Sequence, residues 1–486
     1  MDVNKKLQDE IVITTYCGPQ PPCNVDGVDY PDRVTLEQYK LLKDNGLNMV
    51  FGHEDLMNSP CERLAFRALD ICQELGLAYM VRDKITEEYF SLGTRHKDFR
   101  KLTEEEKLDL DNRFIESLNR YKDHPAFAGI VFVDEPGSDM FEGIRRGRDV
   151  FERVCPGKIF YCNLFPMYVT ARQYQLGWEK IEQELDPTYS IWLDEKEKRY
   201  RPNIERFKHH FEKFLDKVDA KVASYDVYPY AYLEERVHNG IHIALWQQQQ
   251  YVTKRCRELD KDFWQFLQCG GGWCNDPRIR ITSFGEVQHQ VSLALAYGAK
   301  GLQLYTGCFP NCCIKSPLEH SGIIDKNGNI TEQYPFFQYA FMQVKAIQKY
   351  LVHATLKGMV TSGEYFGLLP ERNVIDKVAW NDTIYVGVLP KESNIEIDEY
   401  KELKGVSATS QCLVSCFDNG GESVFLIVNN SPYAAADVTL KFDGNYQYEY
   451  IKSTVSYKAT GSELKICALP AGENVLVRIV GKIKGE

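Results

Sequence analysis

The sequence predicts a (β/α)8 barrel followed by a C-terminal antiparallel β-sandwich. An amphipathic helix, a glycine and a short apolar strand recur along the first 355 residues. Alternating units of that kind imply a parallel sheet covered by helices. Past residue 356 the helical periodicity gives way to β-type segments separated by turn signals such as Asp418-Asn-Gly-Gly421. A third observation fixes the functional end of the barrel. The run Phe127-Ala-Gly-Ile-Val-Phe-Val stops at Asp134-Glu135-Pro136. A buried parallel strand reads as such a run, and proline ends its ladder. Two carboxylates at that exit are costly unless something pairs or uses them.

In order, strands are expected at 11–15, 48–51, 78–82, 129–133, 158–163, 221–225, 262–268 and 302–305. The helices at 35–45, 61–75 and 284–297 run into Gly46, Gly76 and Gly298, which supply the left-handed cap that returns the chain to the sheet. Eight units over roughly 350 residues match a loop-enlarged barrel. A doubly wound open sheet is the alternative, disfavoured because no glycine-rich phosphate loop follows the first strand. Residues 171–202 are too long for a simple connection and suggest a lid or extra helices. The C-terminal strands are expected at 383–389, 412–416, 424–428, 436–442, 463–469 and 474–479. This divides the chain into a barrel over 1–355 and a sandwich over 356–486.

The chain has 58 basic and 69 acidic residues, a net charge of −11, which argues against nucleic acid or an anionic membrane as partner. Its 29 tyrosines and 6 tryptophans offer flat surfaces with polar tips, as sugar binding needs. Fifteen cysteines, an odd number, many of them inside predicted helices and strands, fit a reduced, cytoplasmic setting. The first ten residues lack the layout of a signal peptide, and no stretch has the length of a membrane span. Cys308-Phe-Pro-Asn-Cys312-Cys313 does not have zinc-site spacing. There is no nucleophile elbow, phosphate loop or His-Glu-x-x-His helix. No cofactor or metal is expected; self-association is left open.

Residues at the C-terminal strand ends of such a barrel face one pocket. Here they are Tyr16; His53 and Glu54; Arg82 and Asp83; Asp134 and Glu135; Asn163; Asp226, Tyr228 and Tyr230; Gln265, Gln268 and Trp273; and Tyr305. Acids, amides, phenols and an indole hydrogen-bond hydroxyls and stack on pyranose faces. Hydrolysing a glycosidic bond needs an acid for the leaving oxygen and a second group to supply or steer the nucleophile. Glu135 is the best single candidate for the acid, its pKa raised by Asp134. Asp226 or Asp134 is the second carboxylate. Tyr16, His53, Asn163, Tyr228, Trp264, Gln268, Trp273 and Tyr305 are candidate sugar contacts, with Trp264 the weakest because its neighbour Gln265 competes for the inward face. Each also has a plainer reading: a turn cap for Asp226, a structural role for His53, packing for the tyrosines.

Val133-Asp-Glu-Pro136, Asp262-Phe-Trp-Gln-Phe-Leu-Gln268 and Arg280-Ile-Thr-Ser-Phe-Gly-Glu286, running on through Ala296-Tyr-Gly-Ala-Lys-Gly301 to Tyr305, resemble bacterial β-galactosidase-like barrel glycoside hydrolases. Gly322-Ile-Ile-Asp-Lys-Asn-Gly328 and Val428-Asn-Asn-Ser431 add to the likeness. The resemblance implies a glycosidase barrel with a carbohydrate substrate, of short oligosaccharides or glycosides. It implies no particular sugar. Many retaining members place a glutamate nucleophile at the end of strand seven, where this chain has Gln268. An amide cannot form the glycosyl-enzyme ester at an ordinary rate.

Three mechanisms stay open: substrate assistance using Asp134 and Glu135, inversion with Glu135 as acid and Asp226 activating water, and a partner carboxylate from Glu286 or Glu54. The second ranks slightly first, and Glu286 reads more simply as a helix cap. Gln268 also admits a carbohydrate-binding protein that kept the barrel and lost catalysis. A metal-dependent hydrolase is a distant third.

Overall fold

A computed structural model describes residues 7–25, 27–53, 55–90, 97–177, 184–191, 204–233, 238–241, 244–271, 279–309, 322–362 and 402–483. Eight parallel strands form the predicted barrel: β1 (Val12–Thr15), β2 (Met49–Phe51), β3 (Ala78–Val81), β4 (Phe127–Asp134), β5 (Ile159–Leu164), β6 (Val222–Tyr225), β7 (Asp262–Gln268) and β8 (Gly301–Tyr305). Their order is β1-β8-β7-β6-β5-β4-β3-β2. At the seam between β1 and β2, a side chain replaces part of the ladder. The Asn48 backbone donates to the Ile13 carbonyl (3.0 Å), while the Asn48 carboxamide accepts from the Ile13 N–H (2.8 Å) and donates to the Ile11 carbonyl (2.9 Å).

Glycine closes the helices as expected. Gly46 and Gly76 follow Leu36–Asn45 and Glu62–Leu75 with positive φ, and both return bonds to the last turn. Of the long connection at 171–202, the helices Ala171–Leu176 and Pro187–Ser190 are described.

Two apolar cores result. One lies between the strands and the helical ring and continues onto Leu413, Phe417, Leu426 and Leu476 of the C-terminal part. The other fills the barrel with Val12, Phe51, Met80, Val131, Tyr161, Trp264 and Phe266 among others. Strand β4 reaches that interior irregularly. Its register slips against β3 between Phe127 and Gly129, and against β5 between Val131 and Val133. Two bulges of this kind add residues that the ladder does not count. The inward positions are therefore Ala128, Val131 and Asp134, three apart, with Ile130, Phe132 and Val133 in the outer core. Simple alternation from Ala128 also delivers Asp134 inward, but puts Ile130 and Phe132 there instead of Val131.

Among the described residues, the C-terminal part forms an antiparallel sheet of seven strands: β9 (Thr355–Ser362), β10 (Leu403–Ala408), β11 (Cys412–Asn419), β12 (Glu422–Asn429), β13 (Ala436–Lys452), β14 (Val455–Leu469) and β15 (Asn474–Lys482). The order is β9-β11-β12-β15-β13-β10, with β14 on the other edge of β13. The long β13 shares one edge between β10 (through residues 438–442) and β15 (through residues 446–452), with a register shift between. This curls the sheet over its own core of Val414, Phe425, Ile427, Val438, Leu440 and Val477, in sandwich fashion. The expected strand at 383–389 lies outside the described residues. Strands β9 and β10 were not expected, because Gly358, Gly405 and scattered lysines break their alternation.

The curled sheet seats on the helix Phe284–Ala296. A Cβ on Gly285 would lie 2.2 Å from the Pro432 carbonyl oxygen, and one on Gly472 (φ +69°) 2.2 Å from that of Gly285. Only glycine permits so close an approach of two backbones. Among the described residues, no helix is long and apolar enough to cross a membrane.

Candidate active site

The barrel brings the three sequence-predicted carboxylates together. Asp134, at the exposed tip of β4, accepts hydrogen bonds from the Tyr16 hydroxyl at the end of β1 (2.7 Å) and from the Asn163 carboxamide on β5 (3.0 Å). The same Asn163 nitrogen donates to Asp226 after β6, at 2.5 Å. One nitrogen therefore bridges two carboxylates. The two bridged oxygens lie no further apart than the sum of those lengths, 5.5 Å.

Glu135 follows Asp134 with φ +46°, and its N–H donates to the Asn163 carbonyl at 2.8 Å. The left-handed turn ends the strand and lets Glu135 share a pocket with its neighbour, which strict alternation forbids. Its side chain hydrogen-bonds Asp226. Asp226 is buried, and also accepts from the Tyr228 hydroxyl (3.3 Å). Burial pushes the Asp226 carboxyl up to about 8. The charge of Asp134 adds to the rise, and the hydrogen bonds with Asn163, Glu135 and Tyr228 oppose it. A hydrogen bond between two carboxyl groups needs a proton, so Asp226 and Glu135 share one.

Aromatic rings border this group. Tyr305, at the end of β8, lies 5.7 Å from Tyr16 and 5.2 Å from Tyr228 between centroids. Burial pushes the phenols of Tyr16 and Tyr228 well above their ordinary range, so both stay donors. The Arg82 guanidinium stacks 4.5 Å from the Tyr16 ring centroid and donates to the Gly52 carbonyl. Burial disfavours its charge, but Tyr16 and Asp134 more than restore it. His53 is half-buried, 6.4 Å from Tyr16 between rings.

One layer deeper, the barrel holds Asn163 in place. Its carboxamide oxygen accepts from the Ser224 hydroxyl (3.0 Å), which in turn accepts from Gln303 (2.9 Å) and contacts the Tyr161 hydroxyl (2.9 Å). Sequence reasoning missed Ser224, Gln303 and Tyr161. The available signal was a polar residue two positions below each strand-end residue on β6, β8 and β5, the inward phase of those strands.

Other predicted contacts fall elsewhere. Trp264 does face inward, but on the barrel floor, 2% exposed beside Phe51 and Tyr161. Gln265 turns outward to Gln249. Gln268 is buried with its amide wholly engaged: it donates to the Tyr230 and Arg280 carbonyls and accepts from the Tyr230 N–H. It is a strut between loops. Glu286 caps its helix through Ser283 and pairs with Arg280 and Tyr433, so it stands in the joint with the C-terminal sheet. Trp273, Glu54, Cys312 and Cys313 lie outside the described residues. Among the described residues, no group of three or more His, Cys, Asp or Glu could hold a metal ion.

The Gln268 geometry gives a direct expectation. Gln268→Glu should not install a nucleophile: its carboxylate keeps the Tyr230 N–H as a donor but faces two buried carbonyls to which it cannot donate, and a buried charge so poorly satisfied costs several kcal/mol. The expected result is a lowered melting temperature and no gain in glycoside hydrolysis, read by thermal unfolding and a chromogenic assay.

No family model matches the chain, and no curated protein matches it in sequence. Solved structures do match in fold. A protein described as a glycoside hydrolase is 8% identical, with 98% of this chain and 93% of that chain covered and a TM-score of 0.51. An α-amylase from Anoxybacillus is 8% identical over 99% of each chain, TM-score 0.49. A β-galactosidase from the psychrophilic Marinomonas ef1 is 12% identical over 69% of this chain, TM-score 0.45, and the match spans only 60% of that enzyme's length. The resemblance to barrel glycosidases noted in the sequence holds at the level of the fold.

Proposed function

We propose that the protein is a retaining glycoside hydrolase, with Asp134 as nucleophile and the Asp226–Glu135 pair as the acid and base. The observation that carries this is the Asn163 bridge. It holds the two bridged oxygens of Asp134 and Asp226 no more than 5.5 Å apart. Retaining glycosidases hold their carboxyl groups about 5–5.5 Å apart, whereas inverting ones need about 6.5–9.5 Å to admit water. The inverting arrangement ranked first from the sequence, with Glu135 as acid and Asp226 activating water, gives way in this proposal to double displacement, because those two side chains hydrogen-bond each other and leave no room for a water between them. The fold likeness to a glycoside hydrolase supports the same class.

The roles follow from the environments. Asp134 is exposed and oriented by two donors, as an attacking carboxylate requires. Asp226 is buried and, with its carboxyl pushed up to about 8, keeps a proton at neutral pH in company with Glu135. That proton goes to the leaving oxygen as the Asp134 oxygen bonds to the anomeric carbon. The pair then takes a proton from the water that cleaves the ester. The acid role expected of Glu135 alone becomes a shared one. Tyr16, Tyr228 and Tyr305 give ring faces and hydroxyls for a sugar. Substrates are short oligosaccharides or glycosides. With Gln268 engaged as a strut, its place on β7 no longer speaks for a binding protein without catalysis.

The test is a panel of nitrophenyl glycosides, with the anomeric configuration of the first product followed by NMR. Retention is the expected result. Inversion would overturn the assignment of Asp134. Binding of sugars without cleavage of any glycoside would return the protein to the carbohydrate-binding class.

A further inference from the structure

We propose that the C-terminal sheet acts on the candidate site as a positioning element, through the chain Asn430–His289–Tyr230 that anchors the loop carrying Asp226 and Tyr228. The geometric chain is independent of the hydrolase reading; only its bearing on catalysis rests on that reading.

Every link is a hydrogen bond between fully buried groups. Asn430 follows β12, and its carboxamide oxygen sits 2.9 Å from His289 Nε2. His289 Nδ1 sits 2.9 Å from the Tyr230 hydroxyl. The Tyr230 backbone is clamped on both sides by Gln268, as acceptor of its N–H and donor to its carbonyl, each at 2.9 Å. Asp226 lies four residues upstream on the same short loop.

The donor directions are fixed by neighbours with one possible role. The Trp246 indole N–H can only donate, and it points at the Asn430 oxygen (3.3 Å). The Asn430 nitrogen donates to the Gln411 carboxamide oxygen (2.9 Å). The Asn430 oxygen must therefore accept from His289, which places the imidazole proton on Nε2. Burial holds His289 neutral, with its pKa lowered to about 4, so Nδ1 is an acceptor and the Tyr230 hydroxyl donates to it. No link can reverse without stranding a buried donor or acceptor, which costs about 1–3 kcal/mol.

The helix that carries His289 has no slack. Gly285 and Gly472 let the Pro432 and Ala471 loops lie against its first turn, and a Cβ on Gly472 would also meet the His289 N–H at 2.5 Å. Asn474 adds a 2.9 Å bond to Ser292 on the same helix. The sheet thus fixes the helix, the helix fixes Tyr230, and Tyr230 ends the loop on which Asp226 meets Asp134 and Glu135.

The experiment is hydrogen exchange by mass spectrometry on the full chain carrying Asn430→Ala, Tyr230→Phe, and both. Tyr230→Phe removes one oxygen and leaves the sheet untouched, so it is informative even where Asn430→Ala lowers overall stability. Each single variant should speed exchange in peptides spanning residues 226–231 by about fivefold or more, with peptides over 127–133 unchanged. The double variant should add little beyond either single one, because both cut the same chain. Unchanged exchange at 226–231, or additive effects, would overturn the proposal. The second readout is the alkaline limb of kcat/KM, expected to move to lower pH in both variants as Asp226 gains water, a shift that a general loss of stability does not produce. Altered exchange in a protein that cleaves no glycoside would retain this coupling and reject the hydrolase assignment alone.

Discussion

Asp134→Asn is expected to lower kcat on the order of 10³-fold or more, while the barrel stays folded. Tyr16 and Asn163 are the two donors on this carboxylate, and an asparagine oxygen can still serve one of them. The loss should therefore appear in turnover rather than in melting temperature. Asp134→Gly opens the position and separates a nucleophile from a mere electrostatic partner. With azide supplied, this variant should release a glycosyl azide of the opposite anomeric configuration to the substrate, identifiable by NMR. Free sugar alone, with azide present and rates near wild type, would place the nucleophile elsewhere.

Asp226→Asn should do two things that rarely occur together. Activity on glycosides with poor leaving groups should fall about 10²–10⁴-fold, and less on nitrophenyl glycosides, whose leaving group needs little protonation. Stability should rise. The sign follows from linkage: an acid with a folded pKa near 8 and an unfolded one near 3.9 binds its proton more tightly in the native state. Its contribution to stability is complete below about pH 4 and is lost as pH climbs toward 8 and beyond. Asparagine removes that loss, so the variant should melt increasingly above wild type between pH 5 and 9, by thermal unfolding at each pH. The wild-type alkaline limb of kcat/KM should fall near pH 8 and report the Asp226–Glu135 pair. A variant that melts below wild type at pH 8 would show that Asp226 is not held in a costly charge environment.

The barrel was legible because its signals are local. Short apolar runs, helix-ending glycines and the abrupt Asp134-Glu135-Pro136 stop each need only a few neighbouring residues to be read. All eight barrel strands lie within two residues of their expected limits. The meeting of Asp134, Glu135 and Asp226 was legible too, because strand ends converge in this architecture. Two things were not. The bulges in β4 depend on how it pairs with β3 and β5, which no run of residues declares. The fate of an amide such as Gln268 depends on loops brought to it from residues 230 and 280. A glutamine at a catalytic strand end and a glutamine splinting two loops look identical in a sequence. The C-terminal limits were blurred because β13 and β14 run far past their apolar segments as a long polar hairpin turning on Ser453 and Thr454, both with positive φ.

The seam between β1 and β2 has a consequence for how the cylinder breathes. Neighbouring staves elsewhere are stitched by runs of main-chain rungs, whereas here the backbone and the carboxamide of one residue, Asn48, serve as the clasp. A ring fastened through one residue is expected to part there first, with the earliest amide exchange among the barrel strands at this joint. Tyr16 ends the stave beside that joint, so loosening there is expected to reach the carboxylate it steadies.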